Sequence, residues 1–382
     1  MTSEKIKNIQ IIQDEATNWL IKSALPLWYN IGIDWNRGGF YESIDSDMLS
    51  CTTNFKRLRV LARQIYVFSV GYKLEQEYCK SAVIQGLDFL LTKARLSEGG
   101  FSSRLDLNGD VIEGDIDLYD LAFCLFSLAH GYRILKDSCL KEEAISLVTF
   151  ISDRLAHASG GFIEGIPHTT PRRQNPHMHL FEALLEWRDL SDHIVFCDML
   201  ENLIDLFFRK FYFSNLGVLI EYFDENLIPL SDARGEVTEP GHHFEWVWLL
   251  SRYKAISSLE LPSYTSLYNF ARRNGINTRE GLLWGEVSKF GEPVSSSVRL
   301  WPHTEWLKAE LVTNAGDQQL RMISQSWCAL SRFLDHQQRG LWYETFDHEK
   351  GTFRIEPSPA SSLYHIVLAI EGLTNFVINH QY

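Results

Sequence analysis

The feature that most limits what this chain can become is a phrase that returns six times. A glycine, an apolar or aromatic pair and a short extended run appear as RGGFYESID at Gly38, EGGFSSRLD at Gly99, SGGFIEGIP at Gly160, LGVLIEYFD at Gly217, EGLLWGEVS at Gly281 and RGLWYETFD at Gly340. The copies recur roughly every sixty residues, a longer period than most solenoid units but the same kind of self-similarity. Between successive phrases lie two segments of helical periodicity with turn residues at their ends. They cover 56–76 with 80–96, 117–136 with 140–157, 177–189 with 193–213, 242–257 with 263–273, and 301–314 with 318–335. A helix over 5–24 opens the chain and one over 361–378 ends it, so the termini supply the missing sixth pair. Twelve helices in six hairpins, with the glycine phrases as short β-hairpins in the loops, predict an all-α (α/α)6 barrel, a toroid formed by 1–382 as one catalytic domain.

The two helices of each pair differ in composition. The first is apolar and aromatic, as in YDLAFCLFSLAHGY or HFEWVWLLSRY, whereas the second carries surface charge, as in CLKEEAISLVTFISDRLAH. A helix that is apolar all round must be buried, so the first helices form an inner ring and the second an outer one. Two separate helical domains would need a polar linker near the middle. The candidate, SNLGVLIEYFDENLIPLSDARGEVTEPG, repeats the glycine phrase and therefore belongs to the ring.

Charge and cysteine usage remove several function classes. A net charge of -13, with no run of lysine and arginine among aromatics, repels a phosphate backbone and excludes nucleic acid as a partner. The six cysteines show no CxxC pair, and MTSEKIKNIQ lacks the apolar core of a signal peptide, so the expectation is a cytoplasmic protein with reduced thiols. Apolar runs fall short of the roughly eighteen residues a membrane span needs, which predicts no membrane partner. Self-association as a homodimer is allowed by everything in the sequence.

About twenty residues beyond each phrase, the start of an inner helix presents a polar or ionisable residue: Arg63, Tyr119, His179, His242, His303 and His365. Equivalent helix ends of a closed ring converge on one mouth, so these six are expected to face a common cavity. His179 and His242 each have a carboxylate three positions on, Glu182 and Glu245, on the same side of the helix. Such a neighbour fixes an imidazole tautomer and raises its basicity. The competing reading pairs these glutamates with arginines inside the bundle. Metal binding is the other use of clustered histidines, but His177 with His179 and His242 with His243 point their rings apart on a helix, and HExxH is absent. No metal and no cofactor is therefore expected, and the lack of a phosphate loop or GxSxG elbow argues against nucleotide chemistry and serine hydrolysis. Aromatic residues make up 13% of the chain, and tryptophans such as Trp301 near the helix starts suit the apolar faces of sugars, although most such rings are core.

The motifs RVLARQIYVFS around Arg63, LYDLAFCLFSLA after Leu118, NPHMHLFEA from Asn175, PGHHFEW from Pro240, RLWPHTEWLKAE from Arg299 and SSLYHIVLA from Ser361 occur in this order along essentially the whole chain. Together they resemble the N-acylglucosamine 2-epimerase superfamily, which includes mannose isomerases, mannose 2-epimerases, cellobiose 2-epimerases and the renin-binding proteins. The resemblance implies metal-free proton transfer at a sugar C2, with His242 and His365 as the acid/base pair. It also implies that Arg63, Tyr119, Asn175, His179 and Glu245 bind or orient an open-chain monosaccharide, with His303 and Trp301 in the same wall. NPHMH is similar to the mannose isomerase and bacterial epimerase branches, and PHTE at 302–305 stands where disaccharide epimerases have paired tryptophans. The reading that follows is interconversion of D-mannose and D-fructose through an enediolate, with 2-epimerisation as its nearest rival. A glycoside hydrolase would need two facing carboxylates, for which Asp115, Asp117 and Glu305 are the candidates. A non-catalytic toroid that binds a protein is the remaining alternative. Arg172 and Arg173 before NPHMH offer either an anion site or a solvated surface pair.

Overall fold

A computed structural model describes residues 3–257 and 259–380, and in it the six repeats close into a double ring. The inner helices are α3 (Leu58–Lys73), α5 (Leu118–Leu135), α7 (Asn175–Arg188), α9 (Pro240–Ile256), α11 (Trp301–Thr313) and α13 (Ala360–His380). Around them stand α4 (Cys79–Phe89), α6 (Ser138–Arg154), α8 (Ile194–Leu206), α10 (Thr265–Phe270) and α12 (Gly316–Leu334). The sixth outer rod is α1 (Ser3–Trp19), continued through a wide π turn at Leu20–Ala24 into α2 (Leu25–Ile31). Each inner helix packs on the next, and α13 packs back on α3. The predicted (α/α)6 toroid is what forms.

Burial follows the composition of each helix. From Trp301 to Leu311 every residue of α11 is buried, as is every residue of α9 from Pro240 to Leu250. By contrast α12 buries Leu320, Ile323, Trp327, Leu330 and Leu334, the three-and-four spacing of a helix with one apolar face. The inner helix α13 is long and apolar enough in length and composition to span a bilayer, yet 67% of its most apolar window is buried inside the ring. Prolines start α9 and lie in the first turns of α7 and α11, where a missing N–H costs no intrahelical bond.

The glycine phrases do more than the expected hairpins. All six glycines, Gly38, Gly99, Gly160, Gly217, Gly281 and Gly340, have φ between 68° and 94°, the left-handed region that side chains disfavour. The strands that follow pair mainly across neighbouring repeats: Phe55–Arg57 with Arg104–Asp106, Ile116–Asp117 with Gly165–Ile166, Arg172–Arg173 with Tyr222–Phe223, Val237–Thr238 with Val287–Ser288, and Ser297–Arg299 with Thr345–Asp347. Ser43–Ile44 pairs with Ser358–Pro359 and closes this belt between the last repeat and the first. Three outer helices end in further π turns, Leu90–Ala94, Phe207–Phe211 and Ala271–Gly275. Apolar periodicity does not distinguish such a turn from ordinary helix, which is why the sequence shows only one continuous segment there.

Candidate active site

The belt sets the register of every inner helix. The backbone N–H that begins a helix donates to the phrase of the next repeat: Leu58 to Ser103 O, Leu118 to Glu164 O, Gln174 to Glu221 O, Leu300 to Glu344 O and Ala360 to Glu42 O, at 2.8–3.3 Å. Pro240 begins α9 without an N–H. Five residues beyond each of these starts stand Arg63, Phe123, His179, Glu245, Glu305 and His365. This is the ring of equivalent positions, and it corrects the expected one. Arg63, His179 and His365 belong to it, whereas Tyr119 and His242 reach the same cavity from the preceding turn.

His303 does not reach the cavity. Its Nδ1 donates to Arg299 O at 2.9 Å and its Nε2 accepts from Leu283 N at 2.9 Å, with no exposed surface. His177 makes the same two bonds to Arg173 O and Phe162 N, and His243 makes them to Glu239 O and Leu219 N. Burial lowers the three imidazoles to about 3 for His177 and about 4 for His243 and His303, so each stays neutral and keeps the lone pair that accepts. His303, one of the four repeat-equivalent histidines of the sequence, is thus a pin between phrase and helix.

The remaining residues do converge. Arg63, Tyr119, Asn175, His179, His242, Glu245, Trp301 and His365 line one cavity of about 140 Å³, joined by Glu239, Arg299, Ser361 and Ser362. Trp301 lies between the two candidate acid/base groups, its ring centre 4.9 Å from that of His242 and 5.7 Å from that of His365. Arg63 donates to Tyr119 Oη at 2.6 Å. Asn175 Oδ1 and both carboxyl oxygens of Glu245 are buried without a partner, so they are the free hydrogen-bonding positions for a hydroxylated ligand. Burial and the neighbouring Glu305 push the Glu245 carboxyl well up, which favours its protonated form.

The carboxylate partners differ from those expected three residues on. His179 does meet Glu182, at 3.0 Å, and Glu182 also accepts from Tyr364 Oη, so the arginine pairing of Glu182 does not occur. His242, however, donates from Nδ1 to Glu221 Oε2 at 3.0 Å, and Glu245 lies nearer His179, at 3.8 Å. His365 donates from Nδ1 to Glu305 Oε1 at 2.9 Å. Glu305 had counted only as a hydrolase carboxylate, and Glu221 sits in the phrase IEYFD. A signal for Glu221 existed: at the same place in their phrases Glu42 and Glu164 each hold the arginine before the next inner helix, Arg57 and Arg173, with both bonds at 2.6 Å. Glu239 replaces that arginine in the fourth repeat, which frees Glu221 for the histidine.

These surroundings drive the two imidazoles apart. Burial works against charge on His242, but Glu221 and Glu239 outweigh it and hold the imidazolium to about 10. Burial and then the cations Arg63 and Lys308 push His365 well below its ordinary value. At neutral pH His242 is therefore held as a proton donor and His365 as a proton acceptor, the pairing of ionisation states that suits acid and base. His179, lowered to about 4 by burial, is a second neutral imidazole, bound to Glu182. Two donor clusters, His179 with Glu182 and Glu245, and His242 with Glu221 and Glu239, bring ligand atoms within 4.8 Å of one another and are the places a metal ion would fit. Each already contains the histidine–carboxylate hydrogen bond described above. Arg172 and Arg173 face elsewhere: Arg172 is buried against the carbonyls of Gly160, Phe162 and Glu225, and Arg173 pairs with Glu164.

Residues 39–369 match the family model described as N-acylglucosamine 2-epimerase. A protein of Rhizobium meliloti named mannose-6-phosphate isomerase is 31% identical over 96% of this chain and 97% of its own. A cellobiose 2-epimerase of Dictyoglomus turgidum is 24% identical over 89% of this chain and 92% of its own. The solved cellobiose 2-epimerase of Spirochaeta thermophila superposes with a TM-score of 0.87 over 98% of both chains at 20% identity, and so shares the fold. The chain belongs to the N-acylglucosamine 2-epimerase family and is a sugar isomerase or 2-epimerase.

Proposed function

We propose that the protein interconverts an unsubstituted aldose and its ketose, D-mannose and D-fructose, through an enediol. The observation that carries this reading is the opposite ionisation of two imidazoles on one cavity, His365 neutral and His242 protonated. With Nδ1 bound to Glu305, neutral His365 has its Nε2 lone pair free to take the proton from C2 of the open-chain aldose. His242 gives a proton to O1, so the enediol forms without a free alkoxide. Arg63 supports the oxygen on which negative charge builds. His242 then takes the proton from O2 while His365 returns its proton to C1, which yields the ketose and restores both groups.

The relative named mannose-6-phosphate isomerase, similar along almost its whole length, supports aldose–ketose chemistry. Four arginines at this end of the ring support a sugar without a phosphate, because they already have a carboxylate: Arg57 with Glu42, Arg59 with Asp120, Arg173 with Glu164 and Arg299 with Glu344. That leaves Arg63, bound to Tyr119 Oη and Ser361 O, for the sugar oxygens. Epimerisation is the second reading, favoured by the cellobiose 2-epimerase relative and by the same imidazole pair, which would serve if His242 returned its proton to the opposite face of C2. Purified protein is expected to equilibrate mannose with fructose and to place deuterium from heavy water at C1 of fructose. Glucose as the first product, labelled at C2, would replace this reading with epimerisation. Turnover of mannose 6-phosphate in preference to mannose would overturn the choice of substrate.

A further inference from the structure

Two histidines with the same kind of partner should carry the same charge, and these do not. Each binds a buried carboxylate through Nδ1, at 3.0 Å for His242 and 2.9 Å for His365. The difference lies one contact further away. Beside Glu221 stand the neutral amide of Gln174, at 2.8 Å, and a second carboxylate, Glu239, 3.8 Å from His242 Nδ1. Beside Glu305 stands Lys308, one turn along α11, with Nζ 2.6 Å from Glu305 Oε2 and both side chains without exposed surface. Lys308 is outside the cavity lining, and its ammonium lies 4.1 Å from the ring centre of Trp248 on the far side. A buried lysine and glutamate at this distance neutralise each other, so Glu305 accepts from His365 without a net charge to offer it.

We propose that Lys308 is a positioning residue that keeps His365 neutral by neutralising Glu305, and thereby decides which of the two imidazoles removes a proton from carbon. The inference rests on the acid/base reading above. The charged and titratable groups facing His365 are Arg63 from α3, His179 and Glu182 from α7, His242 and Glu245 from α9, and Glu305 and Lys308 from α11. Glu182 is held by His179 and Tyr364, and of the three carboxylates around Lys308 it is Glu305 that the ammonium touches, at 2.6 Å, so Glu305 is the carboxylate whose charge Lys308 offsets most. Without the ammonium, the Glu305–His365 pair takes up its next proton at a higher pH than in the wild type. Whether that proton resides on the carboxylate or the imidazole, Nε2 becomes an N–H and no longer accepts from carbon.

The test is the pH profile of kcat/KM for Lys308→Met. The acid limb is expected to move up by about one to two units, so that activity at a pH below the wild-type limb falls roughly 10- to 100-fold and recovers as pH rises past the shifted limb. The double variant Lys308→Met with Glu305→Gln removes both charges and is expected to return the limb to its wild-type position. A uniform loss of rate at every pH, with the limb unmoved, would overturn the proposal. Should the single variant fail to fold, the double variant decides alone: activity with the wild-type limb supports the proposal, and a folded protein inactive at every pH overturns it. Nuclear magnetic resonance of 15N-labelled histidine in the free enzyme reads His365 without turnover. A ring whose Nε2 becomes an N–H in Lys308→Met while the rate stays constant would refute the acid/base reading and leave standing only that Lys308 sets the protonation of His365. An unchanged ring would refute the proposal itself.

Discussion

Two sets of three histidines lie on the inner helices and do opposite work. His177, His243 and His303 each accept at 2.9–3.1 Å from a glycine-phrase N–H that is fifteen to twenty-four residues away in sequence, and each spends both ring nitrogens on backbone. His179, His242 and His365 give one nitrogen to a carboxylate and leave the other to the cavity. Within α9 the two kinds are adjacent, His243 and His242, so the hundred-degree step of the helix separates architecture from chemistry. The lesson is that residue type and repeat position do not mark a catalytic histidine. What marks it is a nitrogen left over after the backbone is satisfied.

The largest expected effect separates these sets directly. His365→Ala removes the proposed proton acceptor and should lower kcat by roughly 10²- to 10⁴-fold, the usual worth of a positioned acid/base group, while urea unfolding stays near wild type. His303→Ala should do the reverse. It strands the Leu283 N–H and the Arg299 carbonyl in the core, so stability should fall by about 2–4 kcal/mol with kcat nearly unchanged in the protein that remains folded. Equal losses of activity in the two variants, measured at a temperature where both are folded, would erase the distinction.

Glu221→Gln tests the same contrast from the partner's side with a smaller effect. The amide keeps the shape but withdraws the charge that outweighs burial at His242. The alkaline limb of kcat/KM should therefore move down from about 10 by about one to two units, because the imidazolium loses a charge-assisted bond. An alkaline limb that stays in place would assign it to another group. Glu221 also shows where the sequence stops being readable. The ring, its twelve helices and the cavity residues from Arg63 to His365 follow from periodicity and motif order, because those depend on spacing along the chain. The partner of His242 depends on a single exchange, Glu239 for the arginine at 57 and 173, which becomes visible only when the phrases are aligned by the hydrogen bonds of the folded belt. His303 misled for the same reason: a pin and a catalyst both recur with the repeat.

The smallest effect concerns the arginine pair, where burial again divides two adjacent residues of one type. Arg172 is fully buried and clamps three carbonyls, whereas Arg173 is 38% exposed and pairs with Glu164. An ion pair with one partner this exposed contributes at most about 1 kcal/mol, so Arg173→Ala should unfold within that margin of wild type. Its KM for mannose should change less than about twofold, because the guanidinium is bound to Glu164 and stands outside the cavity lining. Mannose 6-phosphate provides the sharper arm. If the pairing holds, this variant changes the kinetics of the two sugars equally; a selective rise in KM for the phosphorylated sugar would show that Arg173 leaves Glu164 to bind an anion.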